Sequence, residues 1–435
     1  MKELLEKIIK NGISVLLVKF MSVFHILVVA NFYSKDELAQ YSYLISFIVF
    51  YGTTFTNVIS PYFSVKNNDS TVRLTIVSIQ ILLAIITCLL IFKIEETSFY
   101  ITLFIVVFST IGYSFFLDSS QHGKLAKLSF IGIVTSLISS ILCVLNEVSV
   151  ENYLLVYAIP YFIFSINIFN NKFSNRLIIS ANEIFSTFLL YFSNSLIPLS
   201  IVLVYQYLKI SGLEEIIGEY STLFQWTFIF GQASIIFNNT LVKKNKQDYS
   251  ISKSVSNDLI LSLSVPLFLV ILITPITYFH NNIFNLNIPA KELKLSLFFI
   301  LSVAYLSNYK SHIYRRILRS DKVKLSFYSN LSWVVIYVTT VYFNNVKSIA
   351  DLAGLFFFTN YLVFIVFIPI YLRQDLIEIN NRISITLTAT AFLIVYIILS
   401  VFLYLEYLTY IAVDLIILGL IFAILIKNRK YNELR

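Results

Sequence analysis

Cationic side chains lie inside one apolar stretch of the chain and at the polar end of another. The segment 11–33, NGISVLLVKFMSVFHILVVANFY, contains Lys19 and His25. The segment 307–319, SNYKSHIYRRILR, contains Lys310. A lysine ammonium carries three hydrogen-bond donors and a full positive charge, which suit it to a phosphate oxygen. These side chains are therefore candidates for binding an anionic ligand.

Each of these cations has an alternative interpretation. Lys19 can extend its amine to the cytoplasmic interface, or it can face a wet cavity, as ionisable groups inside membranes usually do. Lys310 lies slightly deeper than the arginines that follow it, so it either lines a cavity or anchors the helix end. His25 is a hydrogen-bonded interior histidine or, less favoured, a proton relay.

Other polar residues add weaker candidates for ligand contacts. The amides of Asn57, Gln225 and Gln232 can donate to and accept from sugar hydroxyls, or they can join neighbouring helices. Asp414 is a candidate for ion coupling. The chain has no Walker A loop, G-x-S-x-G, H-E-x-x-H or C-x-x-C motif, and its four histidines lack metal-ligand spacing. We expect no enzyme activity, cofactor or metal.

The composition indicates a polytopic all-α membrane protein. The 435 residues are 58% hydrophobic and 13% charged, whereas soluble domains carry about 25% charged residues. Apolar stretches long enough to cross a bilayer core of about 30 Å recur along the chain. They predict about fourteen transmembrane helices: 13–33, 39–60, 74–93, 98–118, 128–146, 152–170, 183–207, 218–239, 257–279, 293–312, 325–343, 350–372, 384–404 and 407–426.

The distribution of lysine and arginine orients these spans. With the N-terminus in the cytoplasm, 24 of the 32 basic residues fall in cytoplasmic segments, 6 fall in outer segments, and Lys19 and Lys310 lie within spans. This bias follows the positive-inside rule and predicts that both termini are cytoplasmic. The net charge of +8 is therefore a consequence of topology, and we expect no nucleic-acid partner.

A weak internal repeat divides the chain. Segment 41–52, YSYLISFIVFYG, matches segment 220–231, YSTLFQWTFIFG, at four positions in the same register, and each copy follows a short acidic outer loop. The offset of 179 residues corresponds to six spans, so both copies cross the membrane in the same direction. Two parallel lobes related by an axis along the membrane normal are expected. We place them at 1–173 and 174–375, with a C-terminal helix pair at 376–435.

This arrangement resembles the polysaccharide exporters of the multidrug/oligosaccharidyl-lipid/polysaccharide superfamily, in particular O-antigen-type (Wzx-like) flippases. In that family a glycine commonly precedes the tyrosine by two residues; Gly218 and Tyr220 match this pattern, whereas Ala39 and Tyr41 depart from it. Many members have twelve spans, so the last pair is a further departure.

The resemblance implies a function and a set of partners. It implies two six-helix lobes around a central cavity, and export by alternating access of a polyprenyl-diphosphate-linked oligosaccharide for O-antigen or a related surface polysaccharide. The expected location is a bacterial cytoplasmic (inner) membrane, among membrane lipids and with polysaccharide polymerases and glycosyltransferases as possible partners. Two alternatives stay open: a cation-coupled drug antiporter of the same superfamily, and a membrane polysaccharide polymerase.

Overall fold

The computed structural model describes residues 23–53, 78, 81–82, 84–118, 122–166, 181–227, 273–319, 322–344 and 346–373. Within these ranges all regular structure is helical. The helices are α1 (Val23–Phe32), α2 (Lys35–Ile48, continued by a π turn at Val49–Thr53), α3 (84–90), α4 (Thr97–Asp118), α5 (His122–Leu145), α6 (Val150–Ile166), α7 (Ala181–Ile210), α8 (214–227), α9 (Ile273–Phe284), α10 (Ala290–Arg319), α11 (Val323–Phe343) and α12 (Ile349–Arg373).

The helix bounds follow the predicted spans closely where the structure describes both. Helix α4 covers Thr97–Asp118 against a predicted 98–118, and α12 covers Ile349–Arg373 against 350–372. Helix α10 differs, because it continues to Arg319 although the apolar stretch ends near 312. Cations stabilise the C-terminal end of a helix dipole, so a basic end can extend a helix beyond its hydrophobic part. The predicted spans 384–404 and 407–426 lie outside the described residues.

Two described stretches, Lys127–Leu145 in α5 and Ile349–Tyr371 in α12, are long and apolar enough to cross a membrane. In the α5 stretch only 22% of the most apolar 18 residues are buried against protein. A helix this apolar that belonged to the core of a soluble protein would be covered by its neighbours. Together with the composition, this exposed apolar face identifies a multi-pass membrane protein.

The described helices pack in two groups. In the first group α6 packs on both α4 and α5, and α2 contacts α4 and α6. In the second group α11 packs on α7 and on α12, α10 packs on α9 and α12, and α8 is joined to α9 by the hydrogen bond between Trp226 and His280. Helix α2 and its π turn also contact α7, which joins the groups. The domain boundaries near 173 and 375 remain predictions.

The start of α2 is determined by local hydrogen bonds. The Ser34 hydroxyl accepts from the backbone N–H of Glu37, and the Glu37 carboxylate accepts from the backbone N–H of Ser34. This reciprocal capping box is encoded in the sequence SKDE and satisfies two backbone donors at the helix start. It places Lys35 at the first position of α2.

Gly132 of α5 provides a test of packing in the first group. A Cβ at this position would lie 2.9 Å from Cβ and 3.0 Å from Cα of Pro160 in α6. Because a backbone atom cannot yield as a side-chain end can, Gly132→Ala should destabilise the protein by about 1–3 kcal/mol. The measurement is the thermal unfolding midpoint in detergent, with the exposed Ile131→Val as control. Equal midpoints for Gly132→Ala and wild type would contradict this packing.

Candidate functional site

Equivalent residues of the sequence repeat meet where α2 crosses α8. The Ser42 and Ser221 hydroxyl oxygens, 179 positions apart in sequence, lie 2.6 Å from each other. A Cβ on Gly218 would be 3.2 Å from Leu38 Cγ and 3.4 Å from the Ala39 nitrogen, so the backbones approach closely there. Equivalent residues touch each other only where a symmetry axis passes between them. The contact is therefore the one expected if an axis relating the two repeat copies runs through this crossing, which we call the α2–α8 junction.

Further polar contacts surround the α2–α8 junction. Lys35 at the start of α2 forms an ion pair with Glu215 of α8, and that hydrogen bond raises the pKa of Lys35. The Tyr43 hydroxyl donates to the Gln206 side chain of α7, and the Lys209 ammonium lies 4.6 Å from the Tyr43 ring centre. Exposed ion pairs contribute only about 0–1 kcal/mol each. The Lys35–Glu215 pair therefore adds little to the free energy that holds the two groups together.

His25 of α1 is sealed inside the first group. The Tyr153 hydroxyl lies 3.0 Å from Nδ1, the Ser136 hydroxyl lies 2.9 Å from Nε2, and the His25 side chain is fully buried. Ser140 continues the network through a 3.0 Å contact with the Tyr153 hydroxyl. Both ring nitrogens are occupied, which matches the interpretation of His25 as an interior hydrogen-bonded histidine. In this conformation the ring is closed to a ligand.

The His25 network should contribute to stability. His25→Ala removes two buried hydrogen bonds and leaves two hydroxyls without their partner, so we expect a loss of about 2–3 kcal/mol in the free energy of unfolding. His25→Gln, whose amide can both donate and accept, should lose less. Unfolding titrations in mixed micelles measure this order, and equal stability of His25→Ala and wild type would contradict it.

Lys310 of α10 is bound to α12. Its ammonium donates to the side-chain oxygen of Asn360 at 3.1 Å and lies 3.4 Å from the Asn360 backbone oxygen. The Asn360 amide in turn donates to the Phe356 carbonyl at 2.8 Å, which fixes its orientation. In the part of the chain that the structure describes, no carboxylate pairs with this ammonium. The ammonium therefore has neutral oxygen ligands and no described counter-charge.

The Lys310 ammonium contacts Asn360, which lies near the middle of the predicted span 350–372. Phe299 faces Gly354, where a Cβ would lie 3.3 Å from the ring, and this contact sets the register between α10 and α12. Counted from this contact, Asn360 lies six residues further along α12 and Lys310 lies eleven residues further along α10. At about 1.5 Å per residue, the Lys310 backbone is therefore about 7–8 Å further along the helix direction than the Asn360 backbone. The lysine side chain spans this difference backwards, away from the cytoplasmic end of α10. A lysine that extended its amine to the cytoplasmic interface would point the other way.

The remaining predicted site residues are placed only in part. Gln225 of α8 is buried, and its amide donates to the Ser221 carbonyl at 3.0 Å within the same helix. Its side-chain oxygen has no hydrogen-bond partner among the described residues. Outside the described residues lie Lys19, Asn57, Gln232 and Asp414. The structure therefore places Lys310, His25 and Gln225 on separate helices and does not show them in one common contact.

His280 of α9 forms a polar contact that sequence reasoning missed. Trp226 Nε1 donates to His280 Nδ1 at 3.0 Å, and the Thr222 hydroxyl lies 3.3 Å from Nε2. Both partners lie on α8, more than fifty positions earlier in the chain, so no local spacing in the sequence predicts the contact. The sequence showed only that Trp226 is the repeat equivalent of Phe47.

Comparisons with known proteins find similarity only at the level of structure. No family model and no curated protein matches the chain. A multidrug resistance MATE family transporter of the MOP superfamily, in an outward-facing conformation, is 12% identical with a TM-score of 0.46, over 85% of this chain and 95% of that one. A MATE structure in complex with Br-NRF is 11% identical with a TM-score of 0.48, over 86% and 95%. Scores of this size at such low identity do not establish a shared fold.

Proposed function

We propose that the protein is a membrane transporter that moves a polyprenyl-diphosphate-linked oligosaccharide from the cytoplasmic to the outer leaflet by alternating access. The observation that carries this proposal is the contact between Ser42 and Ser221, because contact between equivalent residues is what an axis between two helix groups would produce. Two groups related by such an axis can rock against each other and expose a central site to either side in turn.

The junction itself has the properties of a closed gate. In the predicted orientation it lies towards the outer face, since α2 begins there at Lys35. Its polar contacts are one hydroxyl pair and an exposed ion pair, with the Tyr43–Gln206 hydrogen bond to α7 beside them, and water can replace all of these when the helices part. This chemistry favours a separable contact over a permanent core.

The environment of Lys310 supports an anionic cargo. A buried lysine with neutral oxygen ligands lacks a counter-charge that a phosphate can supply, whereas a lysine paired with a carboxylate already has one. The ammonium reaches towards the middle of the bilayer from the cytoplasmic half of α10, where a lipid diphosphate would load. Lysine acts on a diphosphate as a point charge and needs no fixed fork geometry.

The membrane potential can supply the driving force. An inside-negative potential favours outward movement of an anion by about 2.3 kcal/mol per charge per 100 mV. A diphosphate with two uncompensated charges would gain about 4–5 kcal/mol at 100 mV on that basis. ATP hydrolysis is then unnecessary, in keeping with the missing Walker A loop.

The test is flipping in vesicles of purified protein. A polyprenyl-diphosphate-linked oligosaccharide with a fluorescent sugar is placed in both leaflets, and a membrane-impermeant quencher is added outside. We expect the protected inner-leaflet fluorescence to disappear with the protein and to persist in protein-free vesicles. Persistence in both, with folded protein present, would refute the proposal.

The drug antiporter is tested in the same vesicles. The structures to which the chain is similar include one described as a multidrug resistance transporter. Such an antiporter requires export of a cationic drug driven by a proton or sodium gradient, without flipping of the lipid-linked cargo. Bond formation between lipid-linked sugars would instead indicate a polymerase.

A further inference from the structure

The hydrogen bonds of His280 fix its protonation state. The Trp226 indole nitrogen is only a donor, so the Nδ1 that receives its hydrogen bond at 3.0 Å carries no proton. The neutral ring then carries its proton on Nε2 and donates to the Thr222 hydroxyl at 3.3 Å. That hydroxyl donates onward to the Glu219 carbonyl at 2.7 Å. The three bonds form one chain with a single direction.

Protonation of His280 conflicts with this chain. A second proton on Nδ1 would face the N–H of Trp226, so that two donors oppose each other and the hydrogen bond is lost. The ring is also fully buried, and charging it without a new acceptor carries a desolvation cost. The contact between α8 and α9 thus requires a neutral histidine.

His25 provides an internal contrast. It is as deeply buried as His280, but both of its partners are hydroxyl groups, those of Tyr153 and Ser136. A hydroxyl can accept from a protonated ring as well as donate to a neutral one. Protonation of His25 therefore removes neither hydrogen bond. Of these two described histidines, His280 is the one whose partner forbids the charged form.

His280 lies next to the contacts between the two helix groups. Its partner Thr222 directly follows Ser221, which forms the hydroxyl contact of the α2–α8 junction. On its own helix, the Ile283 carbonyl accepts from the Asn31 side chain of α1 at 2.8 Å. His280 therefore links α8 and α9, and both of these helices contact the first group.

Charged groups around this contact belong to other interactions. On α8, Glu215 pairs with Lys35 of α2, and Glu219 is turned towards these two. On α10, the Glu292 carboxylate accepts from the Ile349 backbone N–H, while Lys291 and Lys294 occupy the first turn of that helix. On α9 the other titratable group is the exposed Tyr278. Among the described residues none of these acts on the His280 ring.

We infer that His280 is a pH-sensitive latch: protonation of its ring breaks the bond to Trp226, releases α8 from α9, and favours separation of the α2–α8 junction. The neutral histidine holds the junction closed at high pH, and closure weakens as the pH falls through the range in which a released histidine takes up a proton, near 6.5. This inference concerns conformation alone and does not depend on the identity of the cargo.

The experiment measures the distance between the two helix groups as a function of pH. Spin labels are placed on cysteines at the exposed positions Asn146 and Lys347, in the turns before α6 and α12, with Cys88 and Cys143 replaced by alanine. Pulsed electron resonance on the full chain in lipid nanodiscs reports the two distance populations. Between pH 8 and pH 5 we expect the ratio of closed to open protein to fall about tenfold, the effect of losing one buried hydrogen bond.

Two variants and one control separate His280 from other titrating groups. His280→Gln can accept from Trp226 and donate to Thr222 but cannot be protonated, so it should stay closed at pH 5. Trp226→Phe removes the N–H group that would face a protonated His280 ring. The ratio of closed to open protein should therefore change less with pH than in the wild type. His25→Gln is the matched control and should retain the tenfold change.

Three results would overturn the latch. The first is a wild-type distance that does not change between pH 8 and pH 5. The second is an unaltered pH response in both His280→Gln and Trp226→Phe, which keeps the test decisive if one variant fails to fold. The third is a His25→Gln protein that no longer responds to pH while His280→Gln and Trp226→Phe still respond. Because no cargo is present, none of these results bears on the proposed flipping.

Discussion

Replacing Lys310 by alanine should reduce flipping of the lipid-linked cargo by about 10–100-fold at equal amounts of folded protein. The reason is that a hydrogen bond to a charged group contributes about 1.5–3 kcal/mol, and the ammonium provides such a bond to the diphosphate. Lys310→Arg keeps the charge and should retain most of the activity. The measurement is the initial rate of fluorescence loss in vesicles at several cargo concentrations, which separates binding from turnover.

Asn360→Asp tests the same site without removing the lysine. The substitution is nearly isosteric, but it converts the neutral oxygen that lies 3.1 Å from the Lys310 ammonium into a carboxylate. The new ion pair would compete with the diphosphate, so cargo affinity should fall as far as in Lys310→Ala. Lys324→Ala, at an exposed position at the start of α11, is the matched control for loss of positive charge. If Lys310→Ala and Asn360→Asp both bind cargo as wild type does, Lys310 is only a helix anchor.

The sequence was informative about helices because a bilayer imposes a length. An apolar stretch of about twenty residues has few other uses, so the bounds of α4 and α12 could be predicted within a residue or so. The end of α10 could not be predicted in this way, because hydropathy marks the edge of the hydrocarbon and not the end of the helix. Backbone hydrogen bonds continue past that edge through a basic segment.

Contacts between helices were harder to predict than the helices themselves. The repeat aligned Ser42 with Ser221 in sequence, and their hydroxyl oxygens lie 2.6 Å apart, but periodicity alone did not predict that these two helices touch. Asn360 is fifty positions from Lys310, and Trp226 is fifty-four from His280. These contacts depend on how each helix is rotated about its own axis, which the sequence pattern does not reveal.

A disulfide across the α2–α8 junction should abolish transport. In Ser42→Cys/Ser221→Cys, with Cys88 and Cys143 replaced by alanine, the two sulfur atoms take positions whose hydroxyl oxygens are 2.6 Å apart, which is within reach for a disulfide. A covalent bond there prevents the two helix groups from separating. We expect flipping to stop after mild oxidation and to return after reduction, in the same vesicle preparation.

The control for this experiment is a disulfide inside one helix group. Ser193 of α7 and Ser326 of α11 have hydroxyl oxygens 3.1 Å apart, and both helices belong to the second group. A cross-link between cysteines at these positions leaves the junction free, so flipping should continue after oxidation. If both cross-linked proteins transport normally, the junction does not open during the cycle, and the alternating-access proposal fails with it. If both stop, rigidity in general is limiting. Only arrest confined to the junction cross-link identifies the Ser42–Ser221 contact as the gate.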